Sequence, residues 1–230
     1  MLKPLKRLVG LCLNLPAIQY QMAVDRLGVD PGLVVDLGCG DGALLLSLRS
    51  KFPHHEYVGV DVSLRVDRVL PGVNLISGDL FAFVESARFS DARVVILNEV
   101  IEHLSQEEIT RLFALFQSRL KGGSVVFCQF PNCASPFGWR NQSGDPTHMT
   151  VLSGAKFERL IADSRAGCQY DIVGVDELGI VGHPFLNYAT GVIYYKVVCK
   201  ILDGFLVHSI GWNKHFWQPN LLVRIRYGNS

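Results

Sequence analysis

The run Leu33-Val34-Val35-Asp36-Leu37-Gly38-Cys39-Gly40-Asp41-Gly42 limits the fold of this chain more than any other segment. Apolar residues with the character of a buried strand reach the carboxylate of Asp36 and then break into three alternating glycines. Leu44, Leu45, Leu46 and Leu48 follow in a segment of helical character. A strand, a glycine-rich turn and a helix in that order let a ligand approach the backbone, because glycine has no Cβ and tolerates positive φ.

Further apolar runs alternate with segments of helical period, the pattern of a parallel sheet flanked by helices. Strands are expected at Leu33–Asp36, Tyr57–Asp61, Asn74–Ile76, Arg93–Leu97 and Ser124–Phe130, and helices at Gly42–Lys51, Gln106–Leu120 and Ser153–Ser164. Ser105 followed by Gln106-Glu107-Glu108 is a helix start, with an N-cap hydroxyl and acids near the positive end of the dipole. Lys121-Gly122-Gly123 is the matching stop. Asn132 to His148 is rich in Asn, Ser, Gly and Pro, with Phe137 and Trp139 embedded, and reads as a long irregular, functional segment. Tyr170–Val175 and Leu221–Tyr227 read as strands, and Ala189–Leu202 as an apolar helix carrying Lys196 and Lys200.

With 230 residues, 49% of them hydrophobic and 19% charged, the chain can bury the core of one large α/β domain. Twenty-two basic and 21 acidic residues leave a formal charge of +1, which gives no general attraction to nucleic acid. The six cysteines (Cys12, Cys39, Cys128, Cys133, Cys168, Cys199) form no Cys-x-x-Cys pair, and reduced thiols in a cytoplasmic setting are expected. Lys3, Lys6 and Arg7 ahead of Leu8–Leu13 faintly imitate a signal peptide, but Asn14 interrupts the run, and a capping helix over about 1–28 is the expectation. No run reaches the ~18 apolar residues of a spanning helix.

Gly38-x-Gly40-x-x-Ala43 satisfies a loose dinucleotide fingerprint, but the carboxylates of Asp36 and Asp41 would oppose a pyrophosphate. A ligand with cationic groups fits better, and S-adenosylmethionine carries a sulfonium and an ammonium. Asp61 ends the second strand, where an acid can accept from ribose hydroxyls, and Asp79 ends the third, where a carboxylate can meet an adenine amino group.

With these residues in order, the chain resembles the class I S-adenosylmethionine-dependent methyltransferases from residue 33 to about 165. Asp36–Gly42 looks like their first motif, Gly59-Val60-Asp61 like their second, and Asn98-Glu99-Val100-Ile101-Glu102-His103-Leu104 like the segment after their fourth strand. The resemblance implies a doubly wound, Rossmann-like mixed sheet of about seven strands in a single domain over 1–230, with an apolar C-terminal extension over about 185–230. It also implies a donor site at Asp36, Gly38, Gly40, Asp61, Asp79, Asn98 and Glu99.

The acceptor is approached through two histidines. Methyl transfer to a hydroxyl often needs a base, and imidazole is best matched to that task near neutral pH, so His103 and His148 are the candidates. Pro131-Asn132, Ser135-Pro136-Phe137-Gly138 and Gly144-Asp145-Pro146-Thr147-His148 are similar to bacterial methyltransferases that modify surface polysaccharides and other glycans. That likeness implies a sugar, glycan or small-metabolite hydroxyl as acceptor, with Asn132, Trp139 and Asp145 binding it. A rival resemblance is to the small-RNA 3′-end 2′-O-methyltransferases, whose metal site has the order Glu99, Glu102, His103, His148 and implies Mg²⁺ or Mn²⁺. Basic residues are sparse there, and Met149-Thr150-Val151 stands where that family has an aromatic-acidic segment. Glu102 and His103 could instead only cap backbone groups, and a binding module without turnover is a third reading. The apolar Ala189–Leu202 reads as core, lid or dimer surface, with peripheral contact to a lipid-linked acceptor through Lys196 and Lys200 as an alternative.

Overall fold

The computed structural model describes residues 31–64, 70–135, 138–165, 167–175, 201 and 220–227. The expected N-terminal helix over 1–28, Phe137, Lys196, Lys200 and nearly all of 176–219 lie outside those residues. The described chain runs β1 (Leu33–Leu37), α1 (Ala43–Lys51), β2 (Glu56–Asp61), β3 (Asn74–Ser77), α2 (Leu80–Glu85) and β4 (Ala92–Asn98). It continues through α3 (Gln106–Arg119), β5 (Val125–Pro131), α4 (Gly138–Gly144), α5 (Gly154–Asp163), β6 (Cys168–Val175) and β7 (Asn220–Tyr227).

The seven strands form one sheet in the order β3-β2-β1-β4-β5-β7-β6. β1 to β5 are parallel, and β7 is antiparallel to both β5 and β6. This is the doubly wound mixed sheet expected from the sequence.

Alternate residues of a strand face opposite sides of a sheet, and the core divides accordingly. Val35, Leu37, Val95 and Leu97 meet Ile109, Leu112, Phe113 and Phe116 of α3 and Phe157 of α5 in one cluster. Val34, Val94 and Ile96 meet Leu45 and Leu48 of α1 in the other. Both faces are covered, so every residue of β1 and β5 is buried and the strands read as apolar runs with one polar residue each, Asp36 and Gln129. Strand order reverses between β1 and β4, which opens a crevice at the carboxyl ends of these strands, where ligands of open parallel sheets bind.

The start of α3 is a full capping box. The Ser105 hydroxyl accepts the Glu108 N–H at 3.2 Å, and the Glu108 carboxylate accepts the Ser105 N–H at 2.8 Å. The segment expected to be irregular, Asn132 to His148, contains the short helix α4. Ser143 donates back to the Trp139 carbonyl at 2.8 Å, and Gln142 buries the inner face, so local polar bonds and one buried contact make a helix where composition indicates loop. Helix α2 also escapes the sequence pattern, because six residues are too few to display a period. Among the described residues no helix is long and apolar enough to cross a membrane.

Candidate active site

The glycine turn is fastened to the end of β2. The N–H groups of Gly38 and Cys39 both donate to the Val60 carbonyl, at 2.7 and 3.2 Å. Gly38 has φ 78°, and a Cβ built there would lie 2.5 Å from Cγ2 of Val100 in the loop after β4. Glycine is therefore required both by conformation and by space.

Four acids lie in this turn or at the neighbouring strand ends. Asp36 is 2% exposed, and burial, reinforced by the charge of Asp61, pushes its carboxyl up to about 7. Asp61 is partly buried as well, which works against its charge, but three hydrogen bonds outweigh that and hold the carboxyl below its usual range. They come from the Ser63 hydroxyl at 2.7 Å, the Ser63 N–H at 2.8 Å and the Gly40 N–H at 2.8 Å. Asp79 sits at the end of β3 as the N-cap of α2, accepting the Ala82 N–H at 3.0 Å. Asp41 accepts the Ala43 N–H at 3.0 Å, a turn-forming role that the sequence allows for it.

A second group gathers past the ends of β4 and β5. Glu99 follows β4 with φ 56°, a left-handed conformation rare outside glycine. It is held there by its N–H to the Gln129 carbonyl at 3.0 Å and by its carboxylate, which accepts from the Gln129 amide at 3.3 Å. The 3₁₀ turn Ile101–His103 follows. The Glu102 carbonyl accepts the N–H groups of both Met149 and Thr150, at 2.8 and 3.0 Å, and the Thr150 hydroxyl donates to the Leu104 carbonyl at 2.6 Å. Those bonds pin the loop 145–150 onto the turn after β4.

The pinning brings His103 and His148 together, with ring centroids 4.7 Å apart at 72°. Thr147 Oγ1 lies 3.0 Å from Nδ1 of His103 and donates to Asp145 Oδ1 at 2.6 Å. His148 places Nδ1 3.0 Å from the Gln142 carbonyl and Nε2 3.9 Å from Asp145 Oδ2. Hydrogen bonds from the Thr147 hydroxyl and N–H hold the Asp145 carboxyl below its usual range. The Glu102 carboxyl is fully buried and faces the Glu99 carboxylate, with which it shares a hydrogen bond; burial first and then the Glu99 charge push it up to about 9. One ligand atom from each of Glu102, His103 and His148 lies within 4.8 Å of the others.

A cavity of about 560 Å³ opens over these residues. Asn98, Glu99, His103, Asp145 and His148, all singled out in the sequence, line it together with Gln129, Pro131, Asn141, Gly144 and Asn220. Asn132 and Trp139 lie off its lining. Asn132 is 2% exposed and accepts the Ala134 N–H at 3.2 Å, whereas Trp139 is 55% exposed on α4. Sequence reasoning missed Gln129, Asn141 and Asn220. Gln129 had a usable signal, as the one polar residue in Val125-Val-Phe-Cys-Gln-Phe-Pro131.

A family model described as a methyltransferase domain matches residues 18–171. The chain belongs to this methyltransferase family and is an enzyme of that kind. Among solved structures it is similar to a SAM-dependent methyltransferase from Archaeoglobus fulgidus, with 19% identity and a TM-score of 0.67 over 92% of this chain and 93% of that one. It is also similar to the methyltransferase domain of bacterial CtHen1, with 20% identity and a TM-score of 0.58 over 94% and 100%. A third likeness is to the plantazolicin methyltransferase BpumL in complex with SAH, with 17% identity and a TM-score of 0.56 over 87% and 77%. These three share the fold.

Proposed function

We propose that this methyltransferase moves a methyl group from S-adenosylmethionine to a hydroxyl of a sugar, glycan or small metabolite. The observation that carries the reading is the polar cavity at the carboxyl ends of β4 and β5, with two imidazoles beside it. Its volume is that of a small-molecule site, and its amide and carboxylate lining suits an acceptor with many hydroxyls.

The residues of the glycine turn fit the donor. Burial, reinforced by the charge of Asp61, raises the cost of ionising Asp36, and a cationic ligand relieves it. Asp36, Gly38, Gly40, Asp61 and Asp79 hold the donor, with Asn98 and Glu99 at the border with the cavity. When bound, S-adenosylmethionine supplies the methyl group from its sulfonium. His148 takes the acceptor's hydroxyl proton on Nε2 as the oxygen takes the methyl group, and Asp145 Oδ2, 3.9 Å away, balances the imidazolium. His103 supports it across the ring contact. Trp139, exposed outside the cavity lining, offers a stacking face for a sugar ring beyond the cavity, and Asn132 holds the turn after β5.

The cluster of Glu102, His103 and His148 favours a second reading, a metal-dependent RNA 2′-O-methyltransferase. A buried carboxyl that faces another carboxylate, with two imidazoles beside it, fits a divalent cation. Glu99, Glu102, His103 and His148 would hold it, and it would supply Lewis-acid activation of a ribose diol.

Calorimetry with S-adenosylhomocysteine tests the donor: no heat at high micromolar ligand overturns it. Asp61→Ala is expected to weaken that binding by about 1.5–3 kcal/mol, the worth of a charge-assisted hydrogen bond, and unchanged affinity removes Asp61 from the site. A labelled-methyl screen over glycans, small metabolites and short RNA, with and without EDTA, tests the acceptor. Glycan or metabolite turnover insensitive to EDTA supports the first reading, and RNA turnover abolished by EDTA selects the second.

A further inference from the structure

We infer that Thr147 is a positioning residue that fixes the proton of His103 on Nδ1, through a one-way chain from imidazole to threonine hydroxyl to the Asp145 carboxylate. A neutral imidazole carries its proton on either nitrogen, and its neighbours decide which. Nδ1 of His103 lies 3.0 Å from Thr147 Oγ1 and 3.3 Å from the Thr147 carbonyl oxygen. A carbonyl has no proton to give, so it favours a proton on Nδ1, but at 3.3 Å it is the weaker of the two acceptors that share that single N–H. The hydroxyl agrees, because its own proton is committed to Asp145 Oδ1 at 2.6 Å, leaving only a lone pair for the ring. Asp145 is held in place by accepting the Thr147 N–H at 2.8 Å on the same oxygen, an Asx turn closed by a β-branched residue with few rotamers.

His148 is oriented by the same rule from another element. Its Nδ1 sits 3.0 Å from the main-chain carbonyl of Gln142 in α4, so it too is a donor at Nδ1. The Gln142 side-chain amide, at 3.5 Å from that nitrogen, is the weaker neighbour and also donates to the Thr150 carbonyl at 3.3 Å. Both rings therefore keep the Nε2 lone pair unprotonated, the state a proton acceptor needs and a cation ligand needs equally. The segment Asp145-Pro146-Thr147-His148 thus supplies one histidine and sets the tautomer of the other.

The use of these lone pairs rests on the reading of the cavity as the acceptor site, but the tautomers do not, and they are measured without turnover. Long-range ¹H–¹⁵N spectra of histidine-labelled protein, recorded at a pH where the rings are neutral, distinguish Nδ1–H from Nε2–H, with His103→Gln assigning the signal. Wild-type His103 is expected to show the Nδ1–H pattern, Thr147→Val to shift it to a mixture with Nε2–H, and Thr147→Ser to restore it. An Nε2–H pattern in the wild type overturns the chain outright. An unshifted Nδ1–H pattern in Thr147→Val, or a serine variant that behaves like the valine, overturns the role of the hydroxyl. A donor site that fails calorimetry leaves this result standing.

Discussion

Replacing Asp36 by asparagine removes a titratable carboxyl from the inside of the sheet without changing the shape of the side chain. Asp36 is 2% exposed, its Oδ1 accepts no hydrogen bond, and its carboxyl is pushed from 3.8 to about 7 by burial and by Asp61. The folded chain therefore holds a proton there that the unfolded chain has released. Stability from this group is fully present below pH 3.8, falls as pH rises and is gone above about 7. A difference of that size is worth about 4 kcal/mol in all, of which roughly 2.5 kcal/mol is lost between pH 5 and pH 8. Asp36→Asn has no proton to lose, so its stability should decline by about 2.5 kcal/mol less over that interval. Urea denaturation of both proteins at the two pH values, followed by far-ultraviolet circular dichroism, measures it. Glu102, whose carboxyl is also pushed up, is present in both proteins and cancels in the difference. Stability profiles that run parallel from pH 5 to pH 8 would refute the assignment of a buried, proton-holding carboxyl to Asp36.

Gly38→Ala should cost about 2–3 kcal/mol, because φ 78° is strained for alanine and the new methyl meets Val100 Cγ2 at 2.5 Å; an unchanged Tm would show that the turn yields freely. Ser105→Ala breaks the capping box of α3 and should lower stability by about 1 kcal/mol in denaturant titration, with Ser105→Thr largely sparing it.

The sheet was legible because a parallel sheet buries both faces and writes its strands as apolar runs. The expected and observed strands agree to within two residues at every end, and the start of α3 agrees with its cap. Helices α2 and α4 were not legible, being too short for a period, and α4 exists through bonds between side chains and backbone that composition does not announce. Among the site residues, the acids at the strand ends were readable because position at the end of a parallel strand already places them at one edge. Asn220 was harder, since only the pairing of β7 with β5 carries it to that edge, opposite Pro131.

By itself, the amino-acid sequence determined the alternation of strand and helix, the glycine turn and the acids beside it, because these depend on local period and backbone conformation. Tertiary structure alone decided that His103 and His148 share one ring contact, that Thr147 stands between His103 and Asp145, and that Glu102 is shut away against Glu99. The two histidine relations join segments more than 40 residues apart, through the two hydrogen bonds that the Glu102 carbonyl accepts. No local pattern encodes them, since each bond forms only once the sheet has brought both loops to the same edge.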